Sequence, residues 1–198
     1  MQSQPRQLYG GAISASLPPS YLDASDLRQV PDTQEVFLSP DSDLSLIVEV
    51  LELVKDDGSE ESLEAAVRFH FSSLAHDNSA SSSTVTSTTL PPVPAAFSPT
   101  HNSTSHPTLL GPTLLTGTQT VSKFNRPESE ADTVLIHLAL WRIPERDADV
   151  TLCVNFPVKM GETGEERDPA EAKRVFVEAV KSFKVEDFGL FAGGGGGA

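Results

Sequence analysis

Apolar and polar residues exchange places along this chain with two different periods, and each change of period marks an element. Ile13, Ala15 and Leu17 alternate with Ser14 and Ser16, the signature of a half-buried strand, and Gly10-Gly11 ahead of them supplies a turn. Asp23 then stands as an N-cap, with Asp26 at capping-box spacing, for a short helix over residues 24–29. That helix has to stop near Val30, because Pro31 disfavours helical backbone in the residue before it. Residues 34–38 read as extended. Leu44, Ile47, Val48 and Leu51 fall at i, i+3, i+4 and i+7, which predicts a helix over residues 43–54 capped by Ser42 or Asp41. Val67, Phe69 and Phe71 alternate with Arg68 and His70 and predict a strand. Residues 113–124 predict another, interrupted near Gly117. The apolar runs 134–141 and 150–156, separated by Pro144 and Glu145-Arg146-Asp147, predict a hairpin. The last helix carries the fullest set of signals: Asp168 as cap, Pro169 at the first position, Glu171 completing the box, then the stripe Ala172, Val175, Phe176, Ala179, Val180 and Phe183.

Strands interleaved with helices of this kind imply an α+β domain, a largely antiparallel sheet covered by helices. The pattern lapses between residues 76 and 108, where serine, threonine and proline replace core-forming residues. Such a composition buries too little apolar surface to offset the entropy of ordering, so a disordered insertion is expected there. The expected organisation is a single domain over residues 1–192, interrupted by that insertion, with a flexible Gly-rich tail at 193–198.

Charge narrows the function. A net charge of −14 and a pI near 4.6 argue against nucleic acid and against anionic membranes, and they suit a basic partner. The lone Cys153 permits no intramolecular disulfide and fits a reducing compartment. The start of the chain has no apolar signal segment, and no window approaches the length needed to span a bilayer, so an intracellular location is expected; the chain is also expected to be a monomer. Catalytic chemistry is hard to find. No Gly-x-x-x-x-Gly-Lys-Ser/Thr loop is present, and Gly161-Glu162-Thr163-Gly164 lacks the lysine. Five scattered histidines and one cysteine have no metal-ligand spacing. His70 and His137 are expected on sheet faces, and Cys153, within Thr151-Leu152-Cys153-Val154, as a buried, inert thiol. No enzyme site and no cofactor is expected.

The segment from Tyr21 to Phe37 stands apart. Asp23, Asp26, Asp32 and Glu35 are joined there by Arg28 and Gln34 in a helix-turn-strand connection stiffened by Pro31. Two blocks of this segment, Asp23-Ala24-Ser25-Asp26-Leu27-Arg28 and Val30-Pro31-Asp32-Thr33-Gln34-Glu35-Val36, together with Leu8-Tyr9-Gly10-Gly11-Ala12-Ile13 ahead of it, resemble the Ran guanine nucleotide release factor family. The likeness continues through residues 45–52, Phe69-His70-Phe71, residues 138–144 with Asp149-Val150, and Phe188-Gly189-Leu190-Phe191. It lapses over 76–108.

The resemblance implies an α/β/α sandwich, a central antiparallel sheet flanked by helices, similar to an extrinsic photosystem II subunit. It also implies binding of the small GTPase Ran, release of its guanine nucleotide, and a role in nuclear protein import, with a location in the nucleus and also the cytoplasm and a Ran-binding protein as a candidate further partner. Asp32 and Glu35 match the acids that the family associates with Ran; Gln34, Asp23 and Arg28 follow as their neighbours. Two other readings compete: an adaptor that binds Ran or transport factors without releasing nucleotide, and a photosynthetic subunit of the same fold.

Overall fold

The protein, seen here as a computed structural model, is described over residues 3–56, 58–60, 62–90, 107–122 and 128–192. Its strands, in chain order, are β1 (Gln4–Leu8), β2 (Ile13–Leu17), β3 (Leu22–Asp23), β4 (Gln34–Leu38), β5 (Ser45–Glu52), β6 (Ser82–Thr89), β7 (Leu110–Val121), β8 (Asp132–Ile143), β9 (Ala148–Lys159) and β10 (Lys184–Val185). The helices are α1 (Leu63–Asp77) and α2 (Ala170–Ser182). Seven strands form one antiparallel sheet in the order β3-β4-β5-β9-β8-β7-β6, and β1-β2-β10 form a second, smaller one.

The hairpin expected around Pro144 lies at the centre of the large sheet. β8 and β9 read as continuous apolar runs because both of their faces are buried. Ala139, Trp141, Val150, Leu152 and Val154 point to one face, where they join Val175, Phe176 and Ala179 of α2 and the inner residues of the small sheet. Ile136, Leu138, Leu140 and Cys153 point to the other and meet Ala66, Val67 and Phe71 of α1. One helix on each face makes the architecture the expected sandwich. In α2, Asp168 Oδ1 accepts the Ala170 N–H at 2.9 Å, and the expected stripe packs inward, Val180 and Phe183 at its margin. Trp141 stacks on Phe183 at 3.8 Å.

Five expectations need correction. Residues 43–54 are not a helix: β5 pairs with β4 on one side and β9 on the other. Its β-branched residues satisfy both periods, and tertiary pairing decides between them. Residues 67–71 are not a strand but the middle of α1, and His70 therefore lies on a helix. Leu63, Ala66, Val67, His70 and Phe71 form its buried stripe, and Ser62 Oγ caps it by accepting the Ala65 N–H at 3.2 Å. The helix after Asp23 is only a 3-10 turn, Ala24–Asp26, with Asp23 accepting the Ser25 N–H at 2.9 Å. Part of the segment expected to be disordered is ordered: residues 76 and 77 end α1, and Ser82–Thr89 forms edge strand β6 on β7. An edge strand needs backbone partners more than a core, and threonine suits extended backbone. Residues 91–106 lie outside the described residues, as does the tail 193–198. β7 itself runs unbroken through Gly117, and Phe124, its expected end, lies outside the described residues.

Candidate functional site

The connection between residues 21 and 37 occupies the β3 edge of the large sheet. Consecutive residues of a strand face opposite sides, so Gln34 and Glu35 of β4 part company. Gln34 stands opposite Glu49 in register, and its Nε2 donates to Glu49 Oε1 at 2.7 Å. Glu35 turns toward the small sheet, where a carboxylate oxygen accepts the backbone N–H of Tyr9.

Tyr9 organises this face. It opens the Tyr9-Gly10-Gly11 turn in the left-handed region, φ +50°, which aims its N–H at Glu35 and its ring across the strands. Its hydroxyl lies 2.7 Å from the Thr33 carbonyl oxygen and 2.8 Å from that of Val48. The Thr33 carbonyl also accepts the Val50 N–H at 2.9 Å. The turn bearing Asp32 is thus pinned from behind, with Asp32 exposed at its tip. Burial and the charges of Glu35 and Glu49 raise the Tyr9 phenol above its ordinary range, so it stays a neutral donor.

Burial also raises the Glu35 carboxyl, against the Tyr9 N–H, which favours its ionised form; the Asp23 charge adds to the rise and Arg6 offsets it. Arg6 donates to the Tyr21 carbonyl at 3.0 Å and places its guanidinium 4.6 Å from the centre of the Phe37 ring. Asp23 lies opposite Phe37 in register, on the face that carries Glu35. The structure therefore gathers Asp23 and Glu35 on one face, sends Gln34 to the other, and leaves Arg28 and Asp32 exposed on the connection.

Two residues of this surface escape a reading based on charge. Leu22 is 48% exposed and Leu27 66% exposed. They are large apolar side chains interspersed along the chain with Asp23, Asp26 and Asp32, and the sign of them in the sequence is two leucines that fit no buried periodicity.

A family model described as "Ran-interacting Mog1 protein" matches residues 6–157, a span that contains all of these groups. The chain belongs to the Mog1 family. A zebrafish relative called Ran guanine nucleotide release factor is 38% identical, over 77% of this chain and 78% of its own length. The nuclear import protein MOG1 of Saccharomyces cerevisiae is 30% identical, over 97% of this chain and 86% of its own. The crystal structure of the yeast Ran-binding protein Mog1p superimposes with a TM-score of 0.71 at 28% identity, covering 97% of this chain and all of that one. Cyanobacterial PsbP from Synechocystis matches at a TM-score of 0.51 and 12% identity, over 93% of this chain and 92% of its own, which is a likeness of fold alone.

Elsewhere in this Mog1-family chain a buried polar cluster serves the fold. Asp149, fully buried, accepts from Arg142 Nε at 2.8 Å and from the Val54 N–H at 3.1 Å, and lies 2.8 Å from His70 Nε2. Burial raises the Cys153 thiol to about 12, far from the range of a nucleophile. Among the described residues no group of three or more His, Cys, Asp or Glu side chains is arranged to hold a metal ion, and no helix is long and apolar enough to cross a membrane.

Proposed function

We propose that this Mog1-family protein binds Ran through the connection 21–37 and promotes release of Ran's guanine nucleotide, in support of nuclear import. The observation that carries the reading is that one connection, braced by Tyr9, exposes both large apolar side chains, Leu22 and Leu27, and charged ones, Asp26, Arg28 and Asp32. An interface needs an apolar centre to exclude water and a charged rim to choose the partner, and this surface offers both. Its sign suits the basic side chains of a GTPase. Asp32 and Arg28 contact the partner directly, Asp23 and Glu35 supply negative potential, and Gln34 contacts it from the opposite face.

No covalent step is required. A factor that binds nucleotide-free Ran more tightly than nucleotide-bound Ran weakens nucleotide binding by the same factor. A coupling of about 3 kcal/mol corresponds to roughly 150-fold. The protein acts as a monomer in the nucleus and cytoplasm, without nucleic acid, membrane or cofactor. A Ran-binding protein joins as a further partner. Release of a fluorescent guanine nucleotide from purified Ran, with and without this protein, is the test. Faster release is expected; binding without acceleration would establish an adaptor instead, and no binding would end the reading.

A further inference from the structure

The large sheet extends beyond the helix that covers its outer face. α1 packs on β6, β7 and β8, and between its free flank and β5 opens a cleft of about 620 Å³. One wall is helical: Phe69 and Asp77 lie two turns apart, with Leu74 beside them. The other is strand, where Glu49 and Leu51 are alternate residues and so point the same way. Glu52 stands at the end of that strand, and His70 forms the floor, held 2.8 Å from buried Asp149.

The chemistry of the walls is divided. Leu51, Phe69 and Leu74 offer apolar surface to a neutral stem, while Glu49, Glu52 and Asp77 set negative charge around it. The cation in the lining, Lys55, is already engaged, its Nζ 2.8 Å from Asp147 Oδ1. A side chain with a long apolar stem and a positive head fits both halves of this surface. Arginine fits best, because its planar guanidinium can stack on Phe69 while donating to two carboxylates at once.

We infer that this cleft is a second docking site, which takes an arginine-bearing basic segment of a protein partner. It is independent of the acidic connection 21–37, although the Gln34–Glu49 hydrogen bond makes the two surfaces neighbours.

The test contains no GTPase, so its outcome is separable from that of the proposed function. The full chain, labelled with 15N, is titrated with the capped peptide Leu-Arg-Leu-Arg-Gly and with its citrulline counterpart, which keeps the shape and removes the charge. Saturable shifts confined to the amides around Leu51, Phe69, Leu74 and Asp77 are expected with the arginine peptide alone. The exposed double variant Glu52→Gln with Asp77→Asn, checked for an unchanged melting temperature, should weaken binding roughly tenfold. Shifts scattered over the acidic surface, equal binding of the citrulline peptide, or no saturable binding at all would each overturn the inference.

Discussion

Glu35 accepts the backbone N–H of Tyr9, a residue 26 positions earlier in the chain. One of the two acids with the strongest functional expectation is therefore also a brace between the large sheet and the small one. Asp32, exposed at the tip of its turn, has no such duty. Charge reversal should separate the two roles. Asp32→Lys should abolish Ran binding while changing stability by less than about 0.5 kcal/mol. Glu35→Lys should also cost roughly 1–3 kcal/mol of stability, because a half-buried donor loses its acceptor. Urea denaturation beside a Ran pull-down reads both. Equal stability of the two variants would dismiss the brace, and normal Ran binding by Asp32→Lys would dismiss the site.

The Glu35 carboxyl also has a pH signature. Its folded pKa is raised above the ordinary glutamate value of 4.5, so the folded state holds the proton more tightly than the unfolded one. The resulting stability is fully present below pH 4.5 and is lost as pH rises through the folded pKa. Glu35→Gln keeps an acceptor for Tyr9 and removes the titration. Its stability relative to wild type should therefore rise with pH across that window, by a small amount because the group is half exposed to solvent. A flat difference between the two unfolding curves from pH 4 to 7 would contradict the shift.

His137 predicts the opposite sign. It is buried, stacked at 5.2 Å on Phe176, with Nδ1 2.9 Å from Thr116 Oγ1 and no partner for Nε2 among the described residues. Burial and the Lys173 charge lower its pKa below 6.5. The neutral ring suits the fold, so stability is complete above pH 6.5 and falls as acid protonates the unfolded chain first. The melting temperature of wild type should drop more between pH 7.5 and 5.5 than that of His137→Gln. Parallel curves would mean that the ring is open to water.

What could be read from the sequence depended on whether one period dominated a segment. α2 carries a cap, a proline and a stripe that all agree, and the β8–β9 hairpin is bounded by an unmistakable turn. β5 and α1 mislead because each satisfies two periods. Ile47, Val48 and Leu51 keep helical spacing on a strand, while Val67, Phe69 and Phe71 alternate on a helix whose true stripe includes Ala66 and His70. β6 escaped because Ser82–Thr89 is almost wholly exposed, so no burial pattern marks it. At the site, the acids were legible as composition. The clamp formed by Tyr9 was not, since it depends on a left-handed turn meeting a strand far along the chain.

Gly117 shows a local signal with a non-local cause. Its place in the sequence predicted a break in β7, yet the strand is continuous and the irregularity lies opposite, between Val85 and Ser87 of β6. A Cβ at Gly117 would sit 2.5 Å from Phe71 Cζ of α1 and 2.6 Å from the Thr84 carbonyl oxygen. The glycine lets the helix and the edge strand close on the sheet. Gly117→Ala should cost about 1–3 kcal/mol, and Phe71→Leu in the same chain should recover part of it. A neutral Gly117→Ala would mean that α1 packs less closely than described.

The buried Arg142–Asp149 pair ties the fold to the cleft beneath α1. Arg142 donates Nε to Asp149, and its two terminal nitrogens donate to the Ser59 and Val54 carbonyls; the second Asp149 oxygen receives the Val54 N–H and meets His70. The pair therefore anchors the loop after β5 and the middle of α1 to the β8–β9 hairpin. Removing one partner leaves the other charge in a site that excludes water, so Arg142→Met and Asp149→Leu should each cost about 3–5 kcal/mol. Because each variant strands the same pair, the double variant should cost clearly less than the sum of the two. Urea midpoints of the four chains measure this coupling. Additive losses, or a loss below about 1 kcal/mol in either single variant, would show that water reaches the pair and that the loop is held by other contacts.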